Sequence, residues 1–470
     1  MRSAVQSISN GRMVADVETL SGGGFNGRQS GSSDDWKSAE FVAHRFASLG
    51  LTVAPLDVPE AGTPDENGAF MSAPVFSIGH PQVEITTADF ALLATPPADY
   101  LPVLDSPSVN VTAPVVYVGY GIADPDRGYD DYAGQEVRNK IVLFMRGKPD
   151  HLPTPVSHAE KVRTARERGA VAYLTVTAPI LSPYEARRGM TTDPSAFYGR
   201  QGSEPLLPGA WISTALADKI LSSPGAVSTL RSLQEAINAS RRPRSKTTQS
   251  SVHMVWEGKE GSGALYNVIA SLPGRDPEVR HERIVLGAHR DHFGRQADLL
   301  FPGADDNASG TAVMLEVARV MRETALRPRR AIDFISFSGE EQGMVGSRFY
   351  VSRALQRAGK VNAMINVDHA GIGNGRLTVG LAGVDKSRAI EAAQRSGLFD
   401  RVDLFGFFPG GDHVPFKEAG VPTVTIVSGG PHPHFHKPSD TADTINPEIL
   451  EAVARYVCTL LWQLANAPAP

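Results

Sequence analysis

At 470 residues the chain is longer than one average domain and can bury a large core, so two domains are expected. A hydrophobic content of 41% with 21% charged residues describes a globular chain rather than a disordered or membrane-embedded one, and a net charge of −5 offers no general attraction for nucleic acid or anionic lipid. The single cysteine, Cys458, sits in the apolar helical run LEAVARYVCTLLWQL, which excludes an intrachain disulfide and argues against a catalytic thiol.

The opening MRSAVQSISNGRM lacks the apolar core of a secretory signal, and no run approaches the ~18 apolar residues of a membrane span. From about residue 16 to 53 the pattern predicts a loop followed by a helix, with Ala39, Val42, Phe46 and Leu49 at helical spacing and a stop at Gly50. Leu51 and Val53 then read as a strand. Short alternating segments between Pro-rich turns, such as QVEITT and APVVYVGYGI, predict β organisation from residue 71 onward. KIVLFMRGKP is a buried-strand candidate, EKVRTARERGAVAYLTVT reads as helix, glycine stop and strand, and RRPRSKTTQSS reads as a solvated linker.

From Asn267 the composition changes to alternating strands and helices: NVIASL, RIVLGAH, a helix after PGADDNASG, RAIDFISFS, a helix over 345–358, AMINVDHAG, a helix over 388–396, and PTVTIVS. Such alternation predicts an α/β fold with a mixed, largely parallel sheet covered by helices on both faces. The first 70 residues lack a core of their own and are expected to pack on this domain. The expected division is therefore 1–70 with 256–470, and 71–255 as a small β-rich insertion.

The stretch PGADDNASG places Asp305 and Asp306 after a Pro-Gly turn and before TAVMLEVARVM, where Val313, Val317, Val320 and Met321 share a helical face. Its plainer reading is a capped buried helix with acids in its first turn. Asp305, Asn307, Ser309, Gly310 and Glu316 also match positions of a calcium-hand loop, but Pro302-Gly303 before the aspartates and helix formers after them oppose that reading. Further acids and histidines recur at the carboxyl ends of predicted strands: His289 and Asp291, Glu340 and Glu341, Asp368, and His436. Each alone has a structural explanation; together they supply a mixed nitrogen and oxygen donor set that suits zinc without thiolates.

In order, AHRDH, PGADDNASG, FSGEEQGMVGS, NVDHAG, GDHVPF and HKPSDTADTI resemble the motif set of the two-zinc aminopeptidases, a family that includes glutamate carboxypeptidase and the transferrin receptor. APVVYVGYGI through GYDDYAGQEVRNKIVLFMRGKP resembles its inserted protease-associated (PA) domain. The resemblance implies the zinc exopeptidase fold, two zinc ions per chain, peptide substrates and an exported location. Carried across, it makes Asp305 the bridge between the ions, with His289 and Asp368 on one and Glu341 and His436 on the other. Glu340 becomes the general base, Asp291 holds His289 from behind, and Asp306 sets an unusual turn, the family often having a cis peptide between its two aspartates. His432 and His434 are left as lining residues or an alternating strand. His369 stands where many relatives have Met, and Phe407 and Phe408 stand where some have a tyrosine that helps polarise the carbonyl; His413 and His434 are weak substitutes. The implied reaction is removal of N-terminal residues from peptides. Alternatives are a carboxypeptidase or small amide hydrolase on the same scaffold, or a non-catalytic receptor-like protein.

Overall fold

A computed structural model describes residues 2–56, 68–87, 89–154, 156–182, 185–186, 190–200, 206–223, 228–324, 327–353, 355 and 359–468. Strands form two eight-stranded sheets. The first runs in the order Thr52–Val53, Val268–Leu272, Ala331–Phe337, Arg283–His289, Val361–Val367, Thr423–Ser428, Leu377–Ala382, Val402–Phe405. Its four central strands are parallel and the others join as antiparallel neighbours or, at the far edge, as a parallel pair.

Alternation along these central strands explains why both faces are covered. Ile284, Leu286, Ile332 and Phe334 point into a core shared with the helices Asn10–Ser21, Gly310–Glu323 and Pro447–Ala465. Val285, Ile335 and Phe337 point the other way, onto Tyr350 and Phe416 of the helices Val345–Arg353 and His413–Glu418. Strands buried on both faces must be apolar at nearly every position, as RIVLGAH and AIDFISF are. The helix after the aspartates is likewise buried from Gly310 to Met321, because it lies between the sheet and two other helices. Its Glu316 accepts the Ser9 N–H and pairs with Arg319, which removes it from any calcium loop.

The second sheet has the order Ala91–Leu93, Phe70–Thr86, Lys246–Tyr266, Val109–Tyr117, Ile141–Met145, Ala172–Val176, Gly209–Ile212, Tyr100–Pro102. Phe70–Thr86 and Lys246–Tyr266 pair from Tyr266↔Phe70 to Ser251↔Thr86, so the chain enters and leaves this unit along one antiparallel ribbon.

Two local expectations are corrected here. Residues 16–21, expected to open a loop, instead close the helix Asn10–Ser21: Ser9 caps it through Arg12 N, and Met13, Val17 and Leu20 are buried at helical spacing. KTTQSS opens a long strand rather than closing a linker, with Thr248 and Ser250 buried in alternation. The boundary at 255/256 consequently falls inside a paired strand. Of the predicted helix over 345–358, Val345–Arg353 is helical, and residues 354 and 356–358 lie outside the described residues.

The helix Ser33–Ser48 is fastened under the sheet edge by a fully buried ion pair, Asp35 Oδ1 to Arg290 Nη2 at 2.8 Å. Asp35 Oδ2 also accepts the Ser338 hydroxyl at 2.7 Å, while burial still pushes the carboxyl up to about 6. Removing one member of such a pair leaves an uncompensated charge, so Asp35→Ala is expected to cost about 3–5 kcal/mol. Asp35→Ala with Arg290→Met should recover much of that loss, as read from denaturant midpoints of the three proteins.

Candidate metal centre at the sheet edge

The carboxyl ends of four parallel strands and the start of one helix converge on a single cluster. His289 ends Arg283–His289, Glu340 and Glu341 follow Ala331–Phe337, Asp368 follows Val361–Val367, His432 and His436 follow Thr423–Ser428, and Asp305 and Asp306 precede Gly310–Glu323. Parallel strands leave this edge open because their crossovers return on the faces.

At the centre is Asp306, not Asp305. Asp306 Oδ1 lies 3.4 Å from His289 Nε2, and Oδ2 lies 3.1 Å from His436 Nε2. His289 Nε2 is also 3.4 Å from Asp368 Oδ1, and His436 Nε2 is 3.3 Å from Glu341 Oε2. Asp305 is turned away: its Oδ1 accepts the N–H groups of Gly371 and Ile372 at 2.7 and 3.1 Å, and its Oδ2 faces His432 Nδ1 at 2.7 Å. The bridging role assigned to Asp305 is thus geometrically displaced by one residue. The cis peptide also falls one residue later than expected, at Asp306-Asn307.

The turn that presents Asp306 is specified from several directions. Asp440, in HKPSDT, accepts both the Asp305 and Asp306 N–H groups at 2.9 and 3.0 Å. Arg28, fully buried, donates to the carbonyls of Pro302, Gly303 and Arg290. Gly303 has φ +62, and a Cβ there would meet Asp306 O at 2.3 Å, so only glycine fits. Asn307 Oδ1 accepts Gly310 N while its amide donates to Val367 O.

The other expected residues stand around this centre. Asp291 is 3.6 Å from His289 Nδ1, accepts the Ser30 hydroxyl, and receives the Glu340 and Glu341 N–H groups at 3.3 Å each. Glu340 lines the cavity, and burial, reinforced by Asp412, Asp368 and Asp306, pushes its carboxyl up to about 8. Burial likewise holds Glu341 well above the carboxylate range, with Asp306 and Glu340 adding to it. Asp306 moves the opposite way, because His369, His289 and His436 outweigh its burial.

Sequence reasoning gave no role to His292, whose Nδ1 is 2.7 Å from Glu341 Oε1, nor to Asp440. Both lie inside quoted motifs, AHRDH and HKPSDT, and were legible to that extent. His369 faces Asp305 Oδ2 at 3.3 Å and Asp306 Oδ2 at 3.7 Å. His432 lies in a turn rather than a strand, His434 is bonded to the Ser439 hydroxyl outside the cluster, and His413 Nε2 donates to Phe408 O.

The donor set fits divalent cations. Two ligands bound tetrahedrally at ~2.0–2.1 Å stand about 3.3–3.4 Å apart, and the four distances given above for His289, Asp306, Asp368, His436 and Glu341 span 3.1–3.4 Å. Asp306 Oδ2 and Asp368 Oδ1 are buried without a hydrogen-bond partner. Groups of three donors within 4.8 Å of one another occur at His289/Asp306/Asp368 and at His292/Asp306/Glu341, sharing Asp306. A third group, Asp305/His369/His432, lies behind them.

In sequence, residues 267–461 match peptidase family M28 and residues 111–220 match the PA domain. The segment 267–461 is thus similar to peptidase family M28. It is 28% identical over 225 residues to a probable leucine aminopeptidase 1 of Trichophyton verrucosum, covering 43% of this chain and 59% of that protein. The chain thus spans little more than half the length of that curated relative. Its fold matches an aminopeptidase from Aneurinibacillus with a TM-score of 0.68 at 24% identity, over 98% of this chain and 95% of the other. A zinc aminopeptidase from Bacillus subtilis matches with a TM-score of 0.63 at 21% identity, over 98% and 97%. These likenesses show the M28 fold, with the PA domain placed between its first and later strands. Among the described residues no helix is long and apolar enough to cross a membrane.

The buried acids set a sign for pH dependence. Burial is the largest cause of the raised values at Glu340 and Asp440, both about 8, and Asp412, about 7. In this window the native state holds protons that the unfolded chain has released, so stability falls as pH rises toward the folded values. His369, pushed up to about 10 by Asp306 and Asp368 against its burial, acts in the same direction above pH 6.5. A divalent cation would replace those protons. The gain in Tm on adding zinc to chelator-stripped protein should therefore grow between pH 6.5 and 8; a gain that shrinks would contradict this electrostatic account.

Proposed function

We propose that this chain is a two-zinc exopeptidase that removes N-terminal residues from short peptides. The observation that carries the reading is the tetrahedral-edge spacing of His289, Asp368, His436 and Glu341 about the shared carboxylate of Asp306. In this assignment His289 and Asp368 hold one ion, Glu341 and His436 the other, and Asp306 both. Residues 1–70 and 256–470 carry the catalytic unit, and 71–255 form the PA insertion.

When bound, the two ions supply an activated water and polarise the scissile carbonyl. Glu340, which lines the cavity beside Asp306 and Asp368, takes the proton from the attacking water and delivers it to the departing amine. Asp291 fixes the orientation of His289 and, through the Glu340 and Glu341 N–H groups, the start of the loop carrying both glutamates.

Substrate polarity follows from the cavity beside the cluster, lined by Thr378, Phe408, Thr425, Val427 and Phe435 together with Glu340 and Asp368. The apolar wall suits an uncharged N-terminal side chain, and the carboxylates suit an α-ammonium group. A carboxypeptidase needs a cation free to face the substrate carboxylate; among the described residues no arginine or lysine lines this cavity, and a raised histidine in it, His369, faces Asp305 and Asp306. Leucyl and methionyl peptides should be cleaved far faster than their N-acetylated or aspartyl counterparts; equal cleavage of blocked and free peptides would reject the reading.

Glu340→Gln should retain two zinc ions while kcat falls on the order of 10² to 10⁴, and Glu341→Ala should lose zinc and activity together. Asp306→Ala should leave less than one zinc per chain after dialysis. Asp305→Asn keeps an oxygen for the Gly371 and Ile372 N–H groups and should retain more than Asp306→Ala. The opposite order would return the shared-ligand role to Asp305.

A further inference from the structure

His436 is the one proposed ligand whose far ring nitrogen is held from outside the catalytic unit. Its Nδ1 lies 2.8 Å from the carbonyl oxygen of Ala196, 240 residues earlier in the chain and inside the second sheet's unit. A backbone carbonyl can only accept, so Nδ1 must carry the hydrogen. That leaves the Nε2 lone pair of the neutral ring aimed between Asp306 Oδ2 and Glu341 Oε2. The same two residues are joined a second time by Ala196 N donating to His436 O at 2.9 Å.

The contact is built rather than grazing. Ser195 and Ala196 are buried. Lys437 Nζ donates to Thr191 Oγ1 at 2.9 Å and approaches Asp193 Oδ2 at 3.4 Å, on the same insertion segment. Tyr198 continues the seam: its ring packs on Phe293, whose edge meets the His436 ring at 4.7 Å, and its hydroxyl accepts from Gln29. His436 itself has φ +56, a backbone conformation that surrounding contacts must maintain. By contrast, Nδ1 of His289 faces Asp291, a residue of the catalytic unit itself.

We propose that the Ala196 carbonyl is a positioning group for His436, so that the PA insertion controls how tightly the ion at His436 and Glu341 is held while leaving the ion at His289 and Asp368 untouched. The proposal rests on the two-zinc reading above. Its consequence is two unequal sites: one held within the catalytic unit, the other dependent on seating of residues 191–198. The insertion then acts on metal retention.

The test is zinc titration against a chromophoric chelator, giving two dissociation constants for each full-length protein. Two glycines inserted between Pro194 and Ser195 should loosen the segment without touching the catalytic unit. The first zinc should stay within about threefold of the parent, and the second should weaken about 10- to 100-fold, the usual consequence of losing a group behind a ligating histidine. The same variant should lose kcat/KM at limiting zinc and regain it with excess zinc, which a misfolded site would not do. Lys437→Ala is the milder second variant and should weaken the same zinc alone. Two glycines inserted at the exposed Asp126-Arg127 turn of the same unit should change neither constant. Equal weakening of both zincs by the 194/195 insertion, or no change in either with Lys437→Ala also silent, would overturn the proposal. A parent that binds no zinc would overturn the two-zinc reading and this inference with it, whereas a parent binding two zincs with unaltered variants would overturn this inference alone.

Discussion

Mutual repulsion among buried carboxylates is the constraint on which the rest of this structure depends. At one sheet edge Asp306 opposes ionisation of Glu340, Glu341 and Asp368, and Asp368 that of Glu340 and Asp412, while burial adds to the cost of each charge. The chain answers with histidines interleaved between the acids and with backbone N–H groups directed at Asp305, Asp291 and Asp440. What remains uncompensated is raised toward the protonated form, and it is this residue of unsatisfied negative charge that makes the site a receptor for cations rather than a structural ion-pair network.

Holding so many like charges in register demands a rigid frame, and the frame is largely made of buried polar groups from outside the motif loops. Arg28 ties the N-terminal segment to the Pro302-Gly303 turn, Arg290 ties it to Asp35 and to the Ser336 and Phe337 carbonyls, and Asp440 receives the two amides that set the aspartates. A guanidinium suits this work because its several donors leave in fixed directions and reach multiple carbonyls at once. The N-terminal helices therefore belong energetically to the site even though they contribute no residue to the cavity.

The alternating strands after Asn267 and the double-sided burial of RIVLGAH and AIDFISF were readable from the letters, because apolar runs bounded by turns carry their own periodicity. The acids and histidines were readable as a set for the same reason: they fall at strand ends. The choice between Asp305 and Asp306 was not, since adjacent identical residues differ only in where the backbone turns their side chains, and that turn is imposed by Asp440 from 134 residues away. Asn10–Ser21 escaped notice because its three buried apolar residues, Met13, Val17 and Leu20, are diluted by polar neighbours in a short span. KTTQSS escaped because its buried positions, Thr248 and Ser250, are polar and give no apolar contrast, yet pairing along Phe70–Thr86 and Val109–Tyr117 gives that strand its place.

The paired ribbon between the two sheets has a mechanical implication for the site. A single linker would let the insertion swing freely, whereas two antiparallel strands hydrogen-bonded through their length resist bending in the sheet plane and fix the direction from which the insertion returns. The segment carrying Ala196 comes back onto His436 from the far side of that sheet, between Ala172–Val176 and Gly209–Ile212. Ribbon and segment thus grip the catalytic unit at separated points, Tyr266 with Phe70 at one and His436 with Ala196 at the other. Two separated contacts define an orientation where one would define only a hinge, and this is the physical basis on which a carbonyl from the insertion can act as a fixed partner for a side chain of the metal cluster.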